Sequence, residues 1–457
     1  MHLLIQDLAV RLGGQSVGFE EGAVATGFAT DSRAVKPGDL FLGIQGERSD
    51  GHEFAAECLR AGSVGTIAER PVEGPHILVG NLVKALATMA ASFRSEYNGP
   101  VVGITGSAGK TTTKELLAAA LSPLGPVLKT QGNRNTEYTS PLMWAELDAT
   151  TKAVVVEMAM RGFGQIAHLA SFSRPTVGII TNIGFAHLQQ VGSRKGIARA
   201  KSELFETLPE RNGLGIVWQG DPYLDILSSR VKSGRVRTFG FTEYADCRIT
   251  EYQALRWDQC DIAGTLDGEE WSATLPFVGR HLALDAAAAV LAAASVGVAP
   301  ALAASRLYEV ALPPMRMQVV EHQGIHFVLD FYNASPPSMV NAIETLAELP
   351  VAGRRMAVIG EMRELGEHVD EAHEMVGHAL ARQNLDMVFF YGPATEIVWN
   401  TALRDGMSAE RFVIADTLDE ITQFLMELKP GDAVLIKGSR ALELERSLTP
   451  LGLSVNA

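Results

Sequence analysis

The feature that most limits how this 457-residue chain can fold is an apolar run that leads into a glycine-rich loop. Residues 101–106 read Val-Val-Gly-Ile-Thr-Gly, and residues 107–112 continue Ser-Ala-Gly-Lys-Thr-Thr. A continuous apolar run is typical of a strand that is covered on both faces of a parallel sheet. Because a helix-like stretch begins near Lys110, the segment predicts the strand, loop and helix of a phosphate-binding site.

The chemistry of phosphate binding accounts for the residue types in this loop. Glycines let backbone N–H groups curl around phosphate oxygens, while Lys110 can neutralise the terminal phosphates and Thr111 can offer its hydroxyl to Mg²⁺. The spacing G-x-x-x-x-G-K-[ST] fails at one position, because Ile104 stands where the first glycine is expected. A glycine-rich turn without a ligand is the alternative. We expect a nucleoside triphosphate to bind these residues: Thr105, Gly106, Ser107, Ala108, Gly109, Lys110, Thr111 and Thr112.

The order of the remaining segments predicts an α/β protein of three domains. Helix-length segments separate the apolar runs, as crossover connections in parallel sheets require. A polar break at 95–100 and the pair Pro313-Pro314 divide the chain into residues 1–98, 99–312 and 313–457. The last domain is predicted to be doubly wound and Rossmann-like, with about five strands. The apolar runs after the first one lie at 153–158, 176–182, 325–330, 356–360, 387–391, 411–416 and 433–437.

Composition excludes several classes of protein. The chain has 39 Lys+Arg and 53 Asp+Glu, and its net charge of −14 argues against a nucleic-acid or anionic-membrane partner. No apolar run approaches the roughly 20 residues of a membrane span, and Asp7 interrupts the first apolar stretch, unlike in a signal peptide. Cys58, Cys247 and Cys260 lack the spacing of metal ligands or of a disulfide framework. We therefore expect a cytoplasmic protein.

Polar residues follow the central apolar runs at the end where ligands bind. Glu157 and Asn182 end two of these runs, and His187 follows shortly after Asn182. Ligands of open α/β sheets bind outside the carboxyl ends of the strands. Glu157 and Thr111 would give Mg²⁺ the oxygen ligands that it prefers. The alternatives are a solvated carboxylate for Glu157 and an ordinary loop histidine for His187.

The segment Gly103–Thr112 resembles the phosphate loop of the Mur ligases, ATP-dependent enzymes that attach amino acids to UDP-N-acetylmuramic acid during peptidoglycan assembly. The resemblance extends from about Thr30 to Glu445 and implies two Mg²⁺ ions. The residue that matches Glu157 binds the ion between the β- and γ-phosphates, and the residue that matches His187 helps to hold the second ion. The lysine that matches Lys201 is carbamylated in the family, although a charge on a helix face is the alternative for any single lysine.

The same resemblance assigns further residues to the nucleotide. Asn133 matches a residue near the γ-phosphate, Arg316 matches an arginine that reaches the phosphates, and Asp330 matches the acid that contacts the ribose. Ordinary surface charges are the alternative for the last two. His281 belongs to a stretch similar to the family's G-x-H-N-x-x-N-A motif, in which Leu282 and Asp285 replace both asparagines.

Other motifs point to the substrate. Residues 30–52, with Ser32, Arg33 and Gly46, resemble the UDP-binding domain of the tripeptide-forming and pentapeptide-forming members, although an N-cap beside a solvated arginine would look alike. Residues 330–339 are similar to the D-x-Y-N-A-N-P-x-S-M motif of the members that add D-alanyl-D-alanine. The substrate residues there are Tyr332, Asn333 and Ser335, the last in place of an asparagine. Residues 360–373 and 437–440 match two more motifs of that branch.

The resemblance implies a ligase that joins D-alanyl-D-alanine to UDP-N-acetylmuramoyl-tripeptide through an acyl phosphate. The catalytic residues would be Lys110, His187, Lys201 and Arg316. We expect a monomer that needs ATP and Mg²⁺ and binds neither nucleic acid nor membrane. Two alternatives stay open, namely a Mur-like ligase for another carboxylate and amine, and a nucleotide-binding homologue without turnover.

Overall fold

A computed structural model describes residues 2–46, 49–185 and 188–453. Within these ranges the chain forms three successive α/β domains, each built around its own largely parallel sheet. This arrangement confirms the predicted three-domain α/β class.

The amino-terminal domain contains short strands and three α-helices. They are β1 (Leu3–Leu4), α1 (Ile5–Leu12), β2 (Gln15–Val17), β3 (Val24–Ala25), β4 (Gly27–Ala29), β5 (Asp39–Leu42), α2 (Ala55–Arg60), β6 (Gly65–Ala68), β7 (His76–Leu78) and α3 (Leu82–Ser95). The main sheet has the order β2-β7-β6-β5-β4, in which only β2 runs antiparallel to its neighbour. Asn81 caps α3 by accepting a hydrogen bond from the backbone N–H of Lys84.

The central domain contains the sheet that carries the phosphate loop. Its elements are β8 (Val101–Thr105), α4 (Lys110–Leu121), β9 (Val127–Lys129), β10 (Ala153–Glu157), α5 (Gln165–Ser173), β11 (Val177–Ile180), α6 (Leu188–Val191), α7 (Arg194–Glu206), β12 (Leu214–Trp218), α8 (Leu224–Ser228), β13 (Val236–Gly240), β14 (Cys247–Arg256), β15 (Gln259–Leu266), β16 (Glu269–Leu275), α9 (Arg280–Ser295) and α10 (Pro300–Ser305). The sheet order is β16-β15-β14-β13-β12-β11-β8-β10-β9. The strands from β9 to β14 pair in parallel, while β15 and β16 extend the sheet as antiparallel hairpins.

Small side chains let the helices of this domain approach closely. The alanine-rich helix α9 is buried over most of its length and packs against α4, the helix that follows the phosphate loop. The predicted start of a helix near Lys110 is confirmed, since α4 begins at that residue.

The carboxyl-terminal domain has the predicted strands and one more. Its elements are β17 (Gln318–His322), β18 (Ile325–Leu329), α11 (Pro336–Glu348), β19 (Arg355–Gly360), α12 (Val369–Ala381), β20 (Met387–Tyr391), α13 (Thr395–Arg404), β21 (Phe412–Ala415), α14 (Leu418–Met426) and β22 (Ala433–Lys437). The sheet order is β17-β18-β22-β19-β20-β21. The additional strand, β17, pairs antiparallel with β18 at the sheet edge and is only partly buried, so it lacks the apolar run of a central strand.

Polar and aromatic contacts join neighbouring domains. At the first interface Arg94 of α3 donates to the carbonyl oxygens of Ser173 and Arg174, at 2.8 and 3.1 Å. At the second, the indole of Trp257, in the turn between β14 and β15, stacks on the imidazole of His326 in β18. The ring centroids lie 4.4 Å apart at an interplanar angle of 15°.

Candidate active site

The phosphate loop is anchored by the neighbouring strand β11. Thr105 and Ile180 face each other in the parallel pair β8–β11, and the residues that follow these strands bind one another. The backbone N–H of Ser107 donates to the carbonyl of Asn182 at 3.0 Å, and the N–H of Ala108 donates to the Asn182 side-chain oxygen at 3.1 Å. Asn182, which follows β11, therefore holds Ser107 and Ala108 of the phosphate loop in place.

A cavity opens where this loop faces the carboxyl-terminal domain. Most of the residues that the sequence assigns to nucleotide, metal and dipeptide line it together. They are Ser107, Ala108, Gly109, Lys110, Thr111, Thr112, Asn133, Glu157, His281, Arg316, Asp330, Tyr332, Asn333 and Ser335. Thr105, Gly106 and Lys201 are not in this lining, and His187 lies outside the described residues. The loop geometry thus brings residues from both domains to one place.

Glu157, at the end of β10, has the surroundings of a metal ligand. One carboxylate oxygen accepts hydrogen bonds from Asn135 Nδ2 at 2.7 Å and from Thr111 Oγ1 at 3.3 Å. The other oxygen is buried and has no hydrogen-bond partner among the described residues, and Lys114 Nζ, at 3.6 Å from it, is too distant for a hydrogen bond. This buried carboxylate oxygen has no hydrogen-bond partner in the described part of the chain, forms a long ion pair with Lys114 and lies beside a threonine hydroxyl, a setting that fits Mg²⁺.

In the ranges that the structure describes, no group of three or more histidine, cysteine, aspartate or glutamate side chains could hold an ion. A cation at Glu157 and Thr111 would complete its coordination with phosphate oxygens and water, as Mg²⁺ commonly does.

Two lysines share one acceptor below the loop. Lys110 Nζ and Lys201 Nζ each donate to the carbonyl oxygen of Gly106 at 2.9 Å. Burial lowers the pKa of both amines, and the Lys110 charge lowers the pKa of Lys201 further. The Lys201 pKa falls well below its usual range, which favours the neutral amine.

The carboxyl-terminal domain adds a cation and an ion pair to the cavity. The Arg316 guanidinium lies over the Tyr332 ring, 4.2 Å from its centroid. Asp330 and Lys437 follow or end the adjacent strands β18 and β22 and form an ion pair of 2.6 Å. Burial lowers the pKa of His281 to about 4, so this imidazole is neutral at pH 7.

The residues predicted to bind UDP lie in a different pocket. Ser32, Arg33 and Gly46 line a depression of the amino-terminal domain together with Thr30 and Phe41. Asp31 caps the short helix Ser32–Ala34, and its hydrogen bonds from Arg33 lower the pKa of Asp31 to about 2. The structure therefore brings these three residues together but separates them from the phosphate loop.

Comparison with known proteins places the chain in a family. Three family models match it, described as Mur ligase family, catalytic domain (residues 25–120), Mur ligase middle domain (residues 104–293) and Mur ligase, glutamate ligase domain (residues 315–440). The UDP-N-acetylmuramoyl-tripeptide–D-alanyl-D-alanine ligase of Bacillus subtilis is 33% identical over 437 residues, which cover 94% of each chain. The chain belongs to the Mur ligase family.

Further relatives of this Mur ligase bear the same name. The Escherichia coli ligase of that name is 32% identical and the alignment covers 92% of each chain. A crystal structure of MurF from Acinetobacter baumannii matches 99% of both chains with a TM-score of 0.88 at 30% identity. MurF from Thermotoga maritima in complex with ADP matches 92% of this chain and 96% of its own, with a TM-score of 0.78 at 33% identity.

Some site residues of this Mur ligase have no assigned role in the sequence prediction. Lys437 begins the matching motif at residues 437–440, so that motif was the signal, and Asn135 lies two positions after Asn133, which was assigned to the nucleotide. Lys114 lies one helical turn after Lys110 and binds the carbonyl of Gly132 at 3.0 Å, a spacing that could have indicated a shared helix face. Asp285 lines the cavity next to the loop, although the sequence shows only that it replaces an asparagine.

Within the described ranges of this Mur ligase, no helix combines the length and the apolar character that a transmembrane span requires.

Proposed function

We propose that this Mur ligase joins D-alanyl-D-alanine to UDP-N-acetylmuramoyl-tripeptide with ATP as the energy source. The observation that carries the proposal is the cavity in which the phosphate loop, Glu157 and the 330–339 motif meet. The relatives with this activity in their names match the chain almost from end to end. These observations support a single reaction centre that contains both the D-Ala-D-Ala motif and the ATP site.

Each domain receives one task in this proposal. Residues 1–98 hold the uridine diphosphate end of the substrate through Ser32, Arg33 and Gly46. Residues 99–312 hold ATP, with Asn133 near the terminal phosphate. Residues 313–457 bind the dipeptide and close on the nucleotide. Support comes from the two separate pockets and from the cavity between the second and third domains.

The first chemical step activates the tripeptide. An oxygen of its terminal carboxylate forms a bond to the γ-phosphorus of ATP, and the bond from that phosphorus to the β–γ bridging oxygen breaks, which gives an acyl phosphate and ADP. Negative charge accumulates on the transferring group, and Lys110 and Arg316, which both line the cavity, would neutralise it. Mg²⁺ held by Thr111 and Glu157 would neutralise phosphate charge.

The second step forms the amide. The free amine of D-alanyl-D-alanine attacks the carbonyl carbon of the acyl phosphate, and the carbon–oxygen bond to phosphate breaks after a tetrahedral intermediate. The nitrogen loses a proton and inorganic phosphate leaves. Tyr332, Asn333 and Ser335 would orient the dipeptide, because they lie just before α11 and line the same cavity.

Lys201 would complete the metal site after modification. A neutral amine adds to carbon dioxide, forms a nitrogen–carbon bond and releases a proton, which leaves an anionic carbamate. The burial of Lys201 and its proximity to the Lys110 ammonium favour the neutral amine that this reaction needs. We propose that the carbamate and His187 serve a second Mg²⁺.

Phosphate release tests the proposal directly. The purified protein receives ATP, Mg²⁺ and UDP-N-acetylmuramoyl-tripeptide, with and without D-alanyl-D-alanine, and the product is weighed by mass spectrometry. We expect release that depends on both substrates and a pentapeptide product. Release with another carboxylate and amine would indicate a ligase of different specificity, and ATP binding without release under any condition would indicate a homologue without turnover.

A further inference from the structure

Asp285 is a buried carboxyl group pressed against the phosphate loop. It lies in the second turn of α9, lines the nucleotide cavity and is 6% exposed. A Cβ atom built on Gly109 would come within 2.6 and 3.0 Å of the two carboxyl oxygens, so the group packs directly on the loop backbone. Gly109 has a φ of 79°, and it is the last residue before α4. The position of Asp285 thus determines where the end of the loop can lie.

The hydrogen bonding of this group ties it to the helix that follows the loop. Thr113 Oγ1, in the first turn of α4, donates to Asp285 Oδ1 at 3.1 Å. Among the described residues, no ion pair is formed by Asp285, although cations occur elsewhere in the cavity. The titratable groups that share its cavity are Lys110 of α4, Glu157 of β10, His281 of α9, and Arg316, Asp330 and Lys437 of the carboxyl-terminal domain. Helix α4 also carries Lys114 and Glu115, and α9 begins with Arg280.

An ionised carboxylate in this place would oppose the binding of ATP. Burying a carboxylate without a nearby cation costs free energy, and the negative charge of a triphosphate on the same loop would repel the carboxylate. Burial raises the pKa of Asp285 to about 8, against a smaller lowering by the Thr113 hydroxyl. The group is therefore mainly protonated at pH 7.

We propose that Asp285 is a positioning residue of the phosphate loop that acts as an uncharged carboxylic acid, and that ATP binding is linked to its protonation. Its carbonyl oxygen accepts from Thr113 while its hydroxyl group remains available as a donor, which is the pattern that an asparagine amide offers. The inference rests on the proposed use of ATP and adds a property that belongs to this residue.

The negative charge of ATP determines whether its affinity rises or falls with pH. Bound triphosphate disfavours the carboxylate, so the pKa of Asp285 is higher in the complex than in the free protein, and ATP binding takes up a proton. ATP then binds most tightly below the pKa that Asp285 has in the free protein, and its affinity falls as the pH rises through that value. With a pKa of about 8, the dissociation constant rises about tenfold between pH 7 and pH 9 through this one group.

The test compares the intact protein with Asp285→Asn, which keeps the shape and the hydrogen bonds but cannot ionise. ATP binding with Mg²⁺ is measured by calorimetry at pH 7 and pH 9, without peptide substrates. We expect the rise in dissociation constant to be about tenfold smaller in the variant, because Lys110 and the nucleotide titrate in both proteins. At pH 8 the unmodified protein should take up about half a proton more than the variant, as shown by heats in buffers of different ionisation enthalpy.

Asp285→Ala separates the hydrogen-bonding role from the charge. Alanine removes both the charge and the contact with Thr113, so we expect weaker ATP binding than in Asp285→Asn at both pH values. Equal binding by the two variants would overturn the positioning role, and parallel pH profiles for the unmodified protein and Asp285→Asn would overturn the linkage. Failure of the unmodified protein to bind ATP at any pH would instead overturn the proposed function and this inference with it.

Discussion

The ion pair between Asp330 and Lys437 should stabilise the part of the carboxyl-terminal domain that borders the cavity. Lys437 Nζ donates to the Asp330 carboxylate at 2.6 Å and also to the carbonyl oxygens of Asp330 and Asn333, at 3.1 and 3.2 Å. The Lys437 side chain is 1% exposed and that of Asp330 is 14% exposed. Lys437→Met keeps most of the apolar stem but removes all three donor contacts.

The expected loss of stability depends on the Asp330 charge that is left without a partner after the substitution. Breaking a buried ion pair by removing one partner costs about 3–5 kcal/mol, because the other charge is left uncompensated. The opening of the cavity lets water reach Asp330, so we expect about 3 kcal/mol, the lower end of that range. The double variant Asp330→Asn with Lys437→Met leaves no buried charge and loses only hydrogen bonds, so we expect a loss of about 1–2 kcal/mol.

Native-state hydrogen exchange can measure this effect within one domain. A single unfolding free energy is poorly defined for a chain of three domains, whereas the amides of β18 and β22 report the local opening free energy. Lys437→Met should speed their exchange about a hundredfold, while the amides of β5 and β6 serve as an internal control. A change below about 1 kcal/mol, or a double variant less stable than Lys437→Met, would refute the reasoning.

Three further predictions concern the reaction and the domain contact. Lys110→Ala should reduce ATP-dependent phosphate release about a thousandfold with an unchanged circular dichroism spectrum, and retained release would exclude its role at the phosphates. Glu157→Gln should raise the Mg²⁺ concentration for half-maximal rate by at least about tenfold, and an unchanged Mg²⁺ titration would place the ion elsewhere. Trp257→Ala removes the 4.4 Å stack on His326 and should raise KM for ATP about two- to tenfold, whereas His326→Phe, which can still stack, should change it less; equal effects of the two would contradict a role for stacking.

The parts of the fold that could be predicted are those whose signal is local. A strand such as β10 is buried on both faces, so its sequence is apolar up to the final Glu157, and its position could be predicted directly. The edge strand β17 has one neighbour and is only partly buried, so the sequence Gln318–His322 carries no such signal. Strand β17 was accordingly missed.

The residues of the candidate site likewise include some that the sequence could predict and some that it could not. Motifs identify the loop around Lys110 and the carboxylate of Glu157, and the structure brings both to one cavity, although the roles assigned to them stay predictions. The surroundings of Asp285 could not be read from the sequence, because its partner Thr113 lies 172 positions away. The burial of Lys114 was hidden for a similar reason, since its acceptor Gly132 belongs to a different segment.

The contacts of Arg94 have a consequence for how many residues the enzyme adds. Its hydrogen bonds to Ser173 and Arg174 tie the domain of the proposed uridine pocket to the domain of the phosphate loop, so the separation between tether and reaction centre is set before the substrate arrives. A tripeptide whose carboxylate reaches the loop becomes, after one addition, a chain two residues longer. If that separation is kept, we expect its new carboxylate to extend past the transferable phosphate, so the enzyme should carry out a single round of elongation.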